Sequence, residues 1–403
     1  MRAALLGLLL LAPLVARADT QDVTLIERGS YLATVGDCVA CHNGPAGTMA
    51  GGRGIATPFG VIYTPNLTPD WDTGIGQYTP ESFHRAMHDG ISRTGAHLYP
   101  AFPFPWYTRV SRADTDAILA WLRTLPPVRY QPPRNELPFP LNLRVSARAW
   151  NDLFFSAGYF EPDPTKSAAW NRGAYLVEGL GHCGACHTPK NFLGVDQGGR
   201  QLQGGSLQGW WAPNLTGDAR QGLGDWSADE IVQYLRAGHT PRSAASGPMA
   251  EAVAFSTNQW AEADLRAVAT YLKDLPGAAA TRPQPLAADS PQMRAGEAIY
   301  LDRCMACHRR DGQGVANLIP RLAGSQVVQQ EGPDTLLRLV ISGVRSVATD
   351  QEPTAPAMPS FGWQLNDQQV ADVVSYIRNA WGNAAPAATS GQAGSARTVV
   401  ARP

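Results

Sequence analysis

Cys38-Val39-Ala40-Cys41-His42 returns as Cys183-Gly184-Ala185-Cys186-His187 and again as Cys304-Met305-Ala306-Cys307-His308. The chain has six cysteines, and these three stretches use all of them. Disulfides are the usual fate of cysteines in exported chains, and paired cysteines also bind zinc. Here the pairs stand more than a hundred residues apart, which suits no compact zinc site. C-x-x-C-H is the attachment pattern of c-type haem. Two thiols on one helical turn reach the two vinyl groups of a porphyrin, and the next His is brought beneath the ring, where it can ligate the iron.

Working outward, each motif follows a short helix that opens on Gly and carries an aromatic. These read Gly29-Ser30-Tyr31-Leu32, Gly173-Ala174-Tyr175-Leu176 and Gly296-Glu297-Ala298-Ile299-Tyr300. Each repeat also closes on an amphipathic segment: Arg112–Leu125, Ala261–Leu275 and Asp367–Trp381. Apolar residues there recur at helical spacing, with Trp121, Tyr271 and Tyr376 at matching places. The expected fold class is mainly α: three tandem class I cytochrome c domains with long loops wrapping each haem. The expected boundaries are 19–126, 168–276 and 291–382, with a Pro/aromatic linker over 127–167, a second linker over 277–290 and a disordered tail over 383–403. Ala, Ser, Gly and Pro dominate that tail and leave little to bury.

The first two repeats share Pro65-Asn66-Leu67-Thr68 and Pro213-Asn214-Leu215-Thr216, each followed by Gly-rich turns. Asn66 and Asn214 suit loop chemistry or a hydrogen bond at the edge of a haem site. A haem used for electron transfer commonly has both axial positions filled, often by His and Met. Met358, in Pro356-Ala357-Met358-Pro359, lies fifty residues after His308, and Met249 lies sixty-two after His187. Both precede the closing-helix aromatic by a similar interval, so with His42, His187 and His308 they make the expected iron ligands. The first repeat reads Pro100-Ala101-Phe102-Pro103 in the same slot. Phe cannot bind iron. His97 is the nearest replacement, His84 and His88 fall on an expected helix, Met49 and Met87 are further alternatives, and a vacant site is another.

Ala3 to Val15 is apolar after Met1-Arg2, and Ala16-Arg17-Ala18 has the small-x-small form of a signal-peptidase site. Residues 1–18 are therefore expected to be a cleaved signal peptide, with the mature chain in the periplasm. The run is too short to span a bilayer, which takes roughly 20 apolar residues. A net charge of −1 gives no basis for nucleic-acid binding.

Several stretches resemble one known group over nearly the whole chain: PNLTPDWDTGIG (65–76), GAHLYPAFPFPWY (95–107), PKN (189–191), APNLT (212–216) and the three C-x-x-C-H motifs. The sequence looks like the triheme cytochrome c subunit of periplasmic, membrane-associated dehydrogenases for alcohols, aldehydes, gluconate, sorbitol and fructose. That resemblance implies three covalent haems c and a catalytic partner carrying a molybdenum, flavin or quinone cofactor. It also implies ubiquinone or another cytochrome as acceptor, peripheral membrane association and no catalysis in this chain. Phe102, with LPFPLN (137–142) and WNDLFF (150–155), resembles the branch paired with molybdenum hydroxylases. A haem peroxidase using an open first site and a cytochrome module of a terminal oxidase are the competing readings.

Overall fold

The computed structural model describes residues 20–277 and 282–401. The expected signal peptide, 1–18, lies outside the described residues. In the first repeat, α1 (Thr20–Val35) leads into the attachment turn α2 (Cys38–His42), then the hairpin β1 (Gly54–Thr57) and β2 (Gly60–Tyr63). Helix α3 (Pro80–Asp89), the short α4 (Phe104–Tyr107) and the closing helix α5 (Arg112–Leu122) complete it. Helix α6 (Arg144–Phe154) follows.

The second repeat runs α7 (Ala168–Tyr175), a π-helical stretch Leu176–Leu180, attachment turn α8 (Gly184–His187) and hairpin β3 (Gly205–Leu207) with β4 (Trp210–Ala212). Then come α9 (Ala228–Ala237), α10 (Pro248–Phe255) and the closing α11 (Glu262–Asp274). The third has α12 (Pro291–Arg303), turn α13 (Met305–His308), α14 (Asp334–Ser342), the pair β5 (Val344–Arg345) and β6 (Ala357–Met358), and closing helix α15 (Asp367–Asn379). A last helix, α16, spans Ser390–Val400.

The Gly that opens each repeat has a steric reason. A Cβ on Gly29 would lie 1.9 Å from the Ala117 carbonyl oxygen and 2.9 Å from the Trp121 Cβ. Gly173 meets the Ala267 oxygen at 2.0 Å and the Tyr271 Cβ at 2.8 Å, and Gly296 meets the Asp372 oxygen at 2.2 Å and the Tyr376 Cβ at 2.7 Å. Only a residue without a side chain lets opening and closing helices cross backbone to backbone. The closing-helix aromatics mark that crossing three times.

The first two repeats share one core. Leu32, Val35, Ile118 and Leu119 pack in the same buried cluster as Leu176, Leu180, Leu265 and Val268. A reciprocal polar exchange accompanies it. The Tyr31 hydroxyl donates to Asp264 Oδ2 (2.7 Å) and accepts from the Ala261 amide (3.1 Å) at the start of α11. Tyr175 returns the arrangement, donating to Asp114 Oδ2 and accepting from the Ser111 amide (3.2 Å) at the start of α5. Each Asp is also held by an Arg of its own repeat, Arg28 on Asp114 and Arg172 on Asp264. The two units thus each supply a hydroxyl to the start of the other's closing helix. The third repeat has Ala295, Ala298 and Gln369 at these three places. Its core, around Tyr300, Leu337, Val370 and Val374, is separate. It meets the second unit through an apolar contact of Val347 with Val253 and through polar ones such as the Trp211 amide on Thr335 Oγ1 (2.7 Å) and Gln221 Nε2 on the Gln329 carbonyl (2.7 Å).

The segment 127–167 wraps the first unit. Glu136 exchanges backbone hydrogen bonds with Val61, and α6 buries Asn151 and Ala147 while Phe155 meets Phe104 edge-on at 4.9 Å. The expectation of a disordered tail is corrected over its described part, 383–401. Arg378, fully buried in α15, donates to the carbonyls of Gln330 (2.8 Å), Glu331 (3.2 Å), Gly332 (3.2 Å) and Pro386 (2.8 Å). Ala384, Ala385, Ala388 and Ala393 are then small enough to lie flat on the third unit, and Arg397 ties α16 to Asp367. The tail's small residues, which offer little to bury by themselves, are the ones a tight helix contact requires.

Candidate functional site

Each C-x-x-C-H stretch forms a helical turn after its opening helix. The six cysteines are not joined to one another. Burial pushes the thiols of Cys38 and Cys183 up to about 12 and those of Cys41 and Cys304 up to about 11, and also raises Cys186. Burial thus disfavours the thiolate that a nucleophilic cysteine needs at these five positions.

The imidazoles are oriented by the loops that follow. His42 Nδ1 donates to the Pro65 carbonyl (2.8 Å) and His187 Nδ1 to the Pro213 carbonyl (2.6 Å). That bond fixes the proton on Nδ1 and leaves Nε2 with a free lone pair, as a ligating His requires. In the third unit the Pro320 carbonyl faces His308, whose buried Nδ1 closes no hydrogen bond of normal geometry. Burial lowers all three histidines, His42 to about 4, so each ring is neutral at physiological pH.

The carrying loops match in detail. The amides of Gly51, Gly204 and Gly314 donate to the carbonyls of His42, His187 and His308, while Leu67, Leu215 and Leu322 donate to Met49, Leu202 and Gly312. Of the two roles open to Asn66, the structure shows the loop one. Asn66 spends its side chain on Thr68, Thr73, Val128 and Tyr130, binding the loop to the chain that leaves the first unit. The group facing the site is the proline carbonyl, and Pro320 was missed because Arg321-Leu322-Ala323 hides the repetition. Met49 corresponds to the buried Leu202 and is a core residue.

Met358 packs against the third core and Phe102 against the shared core. Met249 opens α10 within a small cluster of Ala245, Val253 and the third unit's Val347. His97 sits in the loop after α3, where its Nδ1 meets the Asn151 amide of α6 at 3.1 Å. His84 has both ring nitrogens engaged, by Thr115 and Tyr159, and Met87 is in the core. His88 pairs with Asp89, and its Nε2 is buried without a partner. Among the described residues no three His, Cys, Asp or Glu side chains gather to hold a bare metal ion. Unjoined thiols on a helical turn, beside an imidazole with Nε2 free, fit a covalently attached haem.

The cytochrome c family description matches residues 26–126, 171–276 and 293–381, one span around each motif. The chain belongs to the cytochrome c family. Membership brings covalently bound haem c, and the mainly helical tandem architecture agrees with it. The gluconate 2-dehydrogenase cytochrome c subunit of Pantoea cypripedii is 41% identical over 394 residues, covering 92% of this chain and 89% of that one. The alcohol dehydrogenase (quinone), cytochrome c subunit, of Gluconobacter oxydans is 40% identical over 410 residues, covering 96% and 85%. A nicotinate dehydrogenase subunit of Pseudomonas putida is 41% identical over 394 residues, covering 95% of this chain, which spans about a third (32%) of that relative. This cytochrome c therefore falls in the group of cytochrome c subunits of dehydrogenases, which are electron-transfer subunits.

Proposed function

We propose that this chain carries three haems c, on Cys38/Cys41, Cys183/Cys186 and Cys304/Cys307, with His42, His187 and His308 as proximal ligands. The carrying observation is the threefold recurrence of one turn in which a proline carbonyl stands at the His Nδ1. Each haem, when bound, supplies a one-electron Fe(III)/Fe(II) couple. The chain's residues attach it, orient its ligands and exclude water from it. Met249 and Met358 are the sixth ligands of the second and third sites. At the first site the ligand is His97. Asn151 Oδ1 is buried without a partner; turning its amide over sets that oxygen on His97 Nδ1–H and leaves Nε2 free for iron.

The chain passes electrons from a catalytic dehydrogenase subunit, oxidising an alcohol, aldehyde, sugar acid or N-heterocycle, to ubiquinone or a further cytochrome. It works in the periplasm as a peripheral membrane protein; no described helix is long and apolar enough to cross a membrane. Phe102 and the nicotinate relative support a partner of the molybdenum hydroxylase type. Intact-mass analysis of the mature protein tests the haem count: three haem additions are expected, and fewer in a fully matured sample would remove at least one motif from the reading. Replacing Met249 or Met358 with Leu is expected to lower one midpoint potential each, because the thioether favours reduced iron. An unchanged potential makes that Met a packing residue.

A further inference from the structure

Helix α4 belongs to the first unit and begins directly after Pro100–Pro103, the segment with Phe where the other units have Met. Trp106, 8% exposed, lands on the second attachment turn: a Cβ on Gly184 would lie 2.0 Å from its Cη2 and 2.4 Å from its Cζ2. The same position of the other turns holds Val39 and Met305. The next residue, Tyr107, donates to the Gly36 carbonyl (2.7 Å) and stacks on His182 at 5.3 Å with 19° between planes. Gly36-Asp37 and Gly181-His182 are the two residues that lead into Cys38 and Cys183. One four-residue helix therefore touches the lead-in of both turns and covers the second. The turns are also near neighbours: a Cβ on Gly36 would lie 3.2 Å from Leu180 Cδ1, of the stretch leading to the second turn, and 3.6 Å from Cys38 Sγ. Compared with the second turn, the third is uncovered, with Ala306 and Cys307 exposed.

We propose that Trp106 is a positioning residue for the second haem, so that the attachment side of the second site is built from two units and is coupled to the first. This rests on reading Cys183–His187 as a haem attachment turn. The indole fills the space that Gly184 vacates and keeps water from the turn. Water admitted there would favour the charged, oxidised iron and lower its potential. Gly184 and Trp106 are two halves of one contact, so their substitutions are not additive.

The test uses the full-length, haem-loaded protein, with haem count by mass and potentials by spectroelectrochemical titration. Trp106→Ala should lower one midpoint potential, and not the one that Met358→Leu moves. Trp106→Phe, which keeps an aromatic wall, should restore part of the shift. Gly184→Ala should disturb the same potential, and in the Trp106→Ala background it should add nothing, because the space is open. Should Trp106→Ala fail to load haem, Trp106→Phe and Gly184→Ala carry the comparison. Fully loaded variants whose potentials ignore Trp106, or additive effects of the two changes, overturn the proposal. A wild type without haem on Cys183 and Cys186 would instead remove the reading beneath it.

Discussion

Replacing Tyr31 with Phe should weaken a helix in a different unit from the one that carries it. The hydroxyl donates to the Asp264 carboxylate at 2.7 Å and accepts from the Ala261 amide, at the end of a helix that has no side-chain cap of its own. A hydrogen bond to a charged group contributes about 1.5–3 kcal/mol. Asp264 keeps both contacts to Arg172, at 2.8 and 2.7 Å, so it is not left unpaired. The Ala261 end is exposed, and water can replace the lost acceptor. The expected loss is therefore at the lower end, about 1–2 kcal/mol. In a fused unit of this size that lowers Tm by about 2–8 °C. Hydrogen exchange locates the effect: amides in the first turn of α11 should exchange faster, and Tyr175→Phe should do the same at the start of α5. A Tyr31→Phe variant in which only α1 loosens, with α11 unchanged, would refute the reciprocal capping.

Gly29→Ala drives a Cβ into the Ala117 carbonyl, a backbone group that cannot turn aside, so denaturant unfolding should show a loss of about 3 kcal/mol or more; a near-neutral result would mean that the helices do not cross so closely. Arg378→Met leaves four carbonyls without their donor, at about 1–3 kcal/mol for each that stays buried. Limited proteolysis should then cut within 383–401, and an unchanged pattern would show that the tail is held by other contacts. Burial opposes ionisation of Asp264, but the hydrogen bonds from Arg172 and Tyr31 outweigh it and hold the carboxyl below its usual range. A depressed carboxyl stabilises the fold above its unfolded value of about 3.9 and loses that contribution as pH falls through the folded value. The Tm of the wild type should therefore approach that of Asp264→Asn as the solution is acidified, and parallel curves would contradict the assignment.

The sequence announced the attachment turns because thioether geometry leaves no freedom in C-x-x-C-H, and it announced the opening glycines because the helix crossing admits no Cβ. Both are local constraints repeated three times. What it did not announce are contacts between distant residues with no shared local pattern. Tyr31 and Tyr175 stand out as aromatics of the opening helices, but their partners Asp264 and Asp114 look like ordinary first-turn acids. Trp106 lies in a conspicuous aromatic stretch without any sign that it faces Gly184. The tail was misjudged because composition measures what a segment can bury by itself. Arg378, which brings it down onto the third unit, lies in the preceding helix. Pro320 was overlooked because the contact is a backbone carbonyl, which side-chain identity marks only through the proline that carries it.

The exchange of tyrosines also sets an order in time. Tyr31 must wait for Asp264, 233 positions further along the chain, before its bond can close, and contacts of such long separation form late. A chain made from its N-terminus therefore presents its first attachment turn while the residues that will seal that face are still being added. Whatever joins the first two pairs of thiols to their porphyrins has open access from that side until the second closing helix arrives. Once Trp106 rests on Gly184, the second turn is covered. Cys307 of the last turn, like Cys41 of the first, stays exposed after folding.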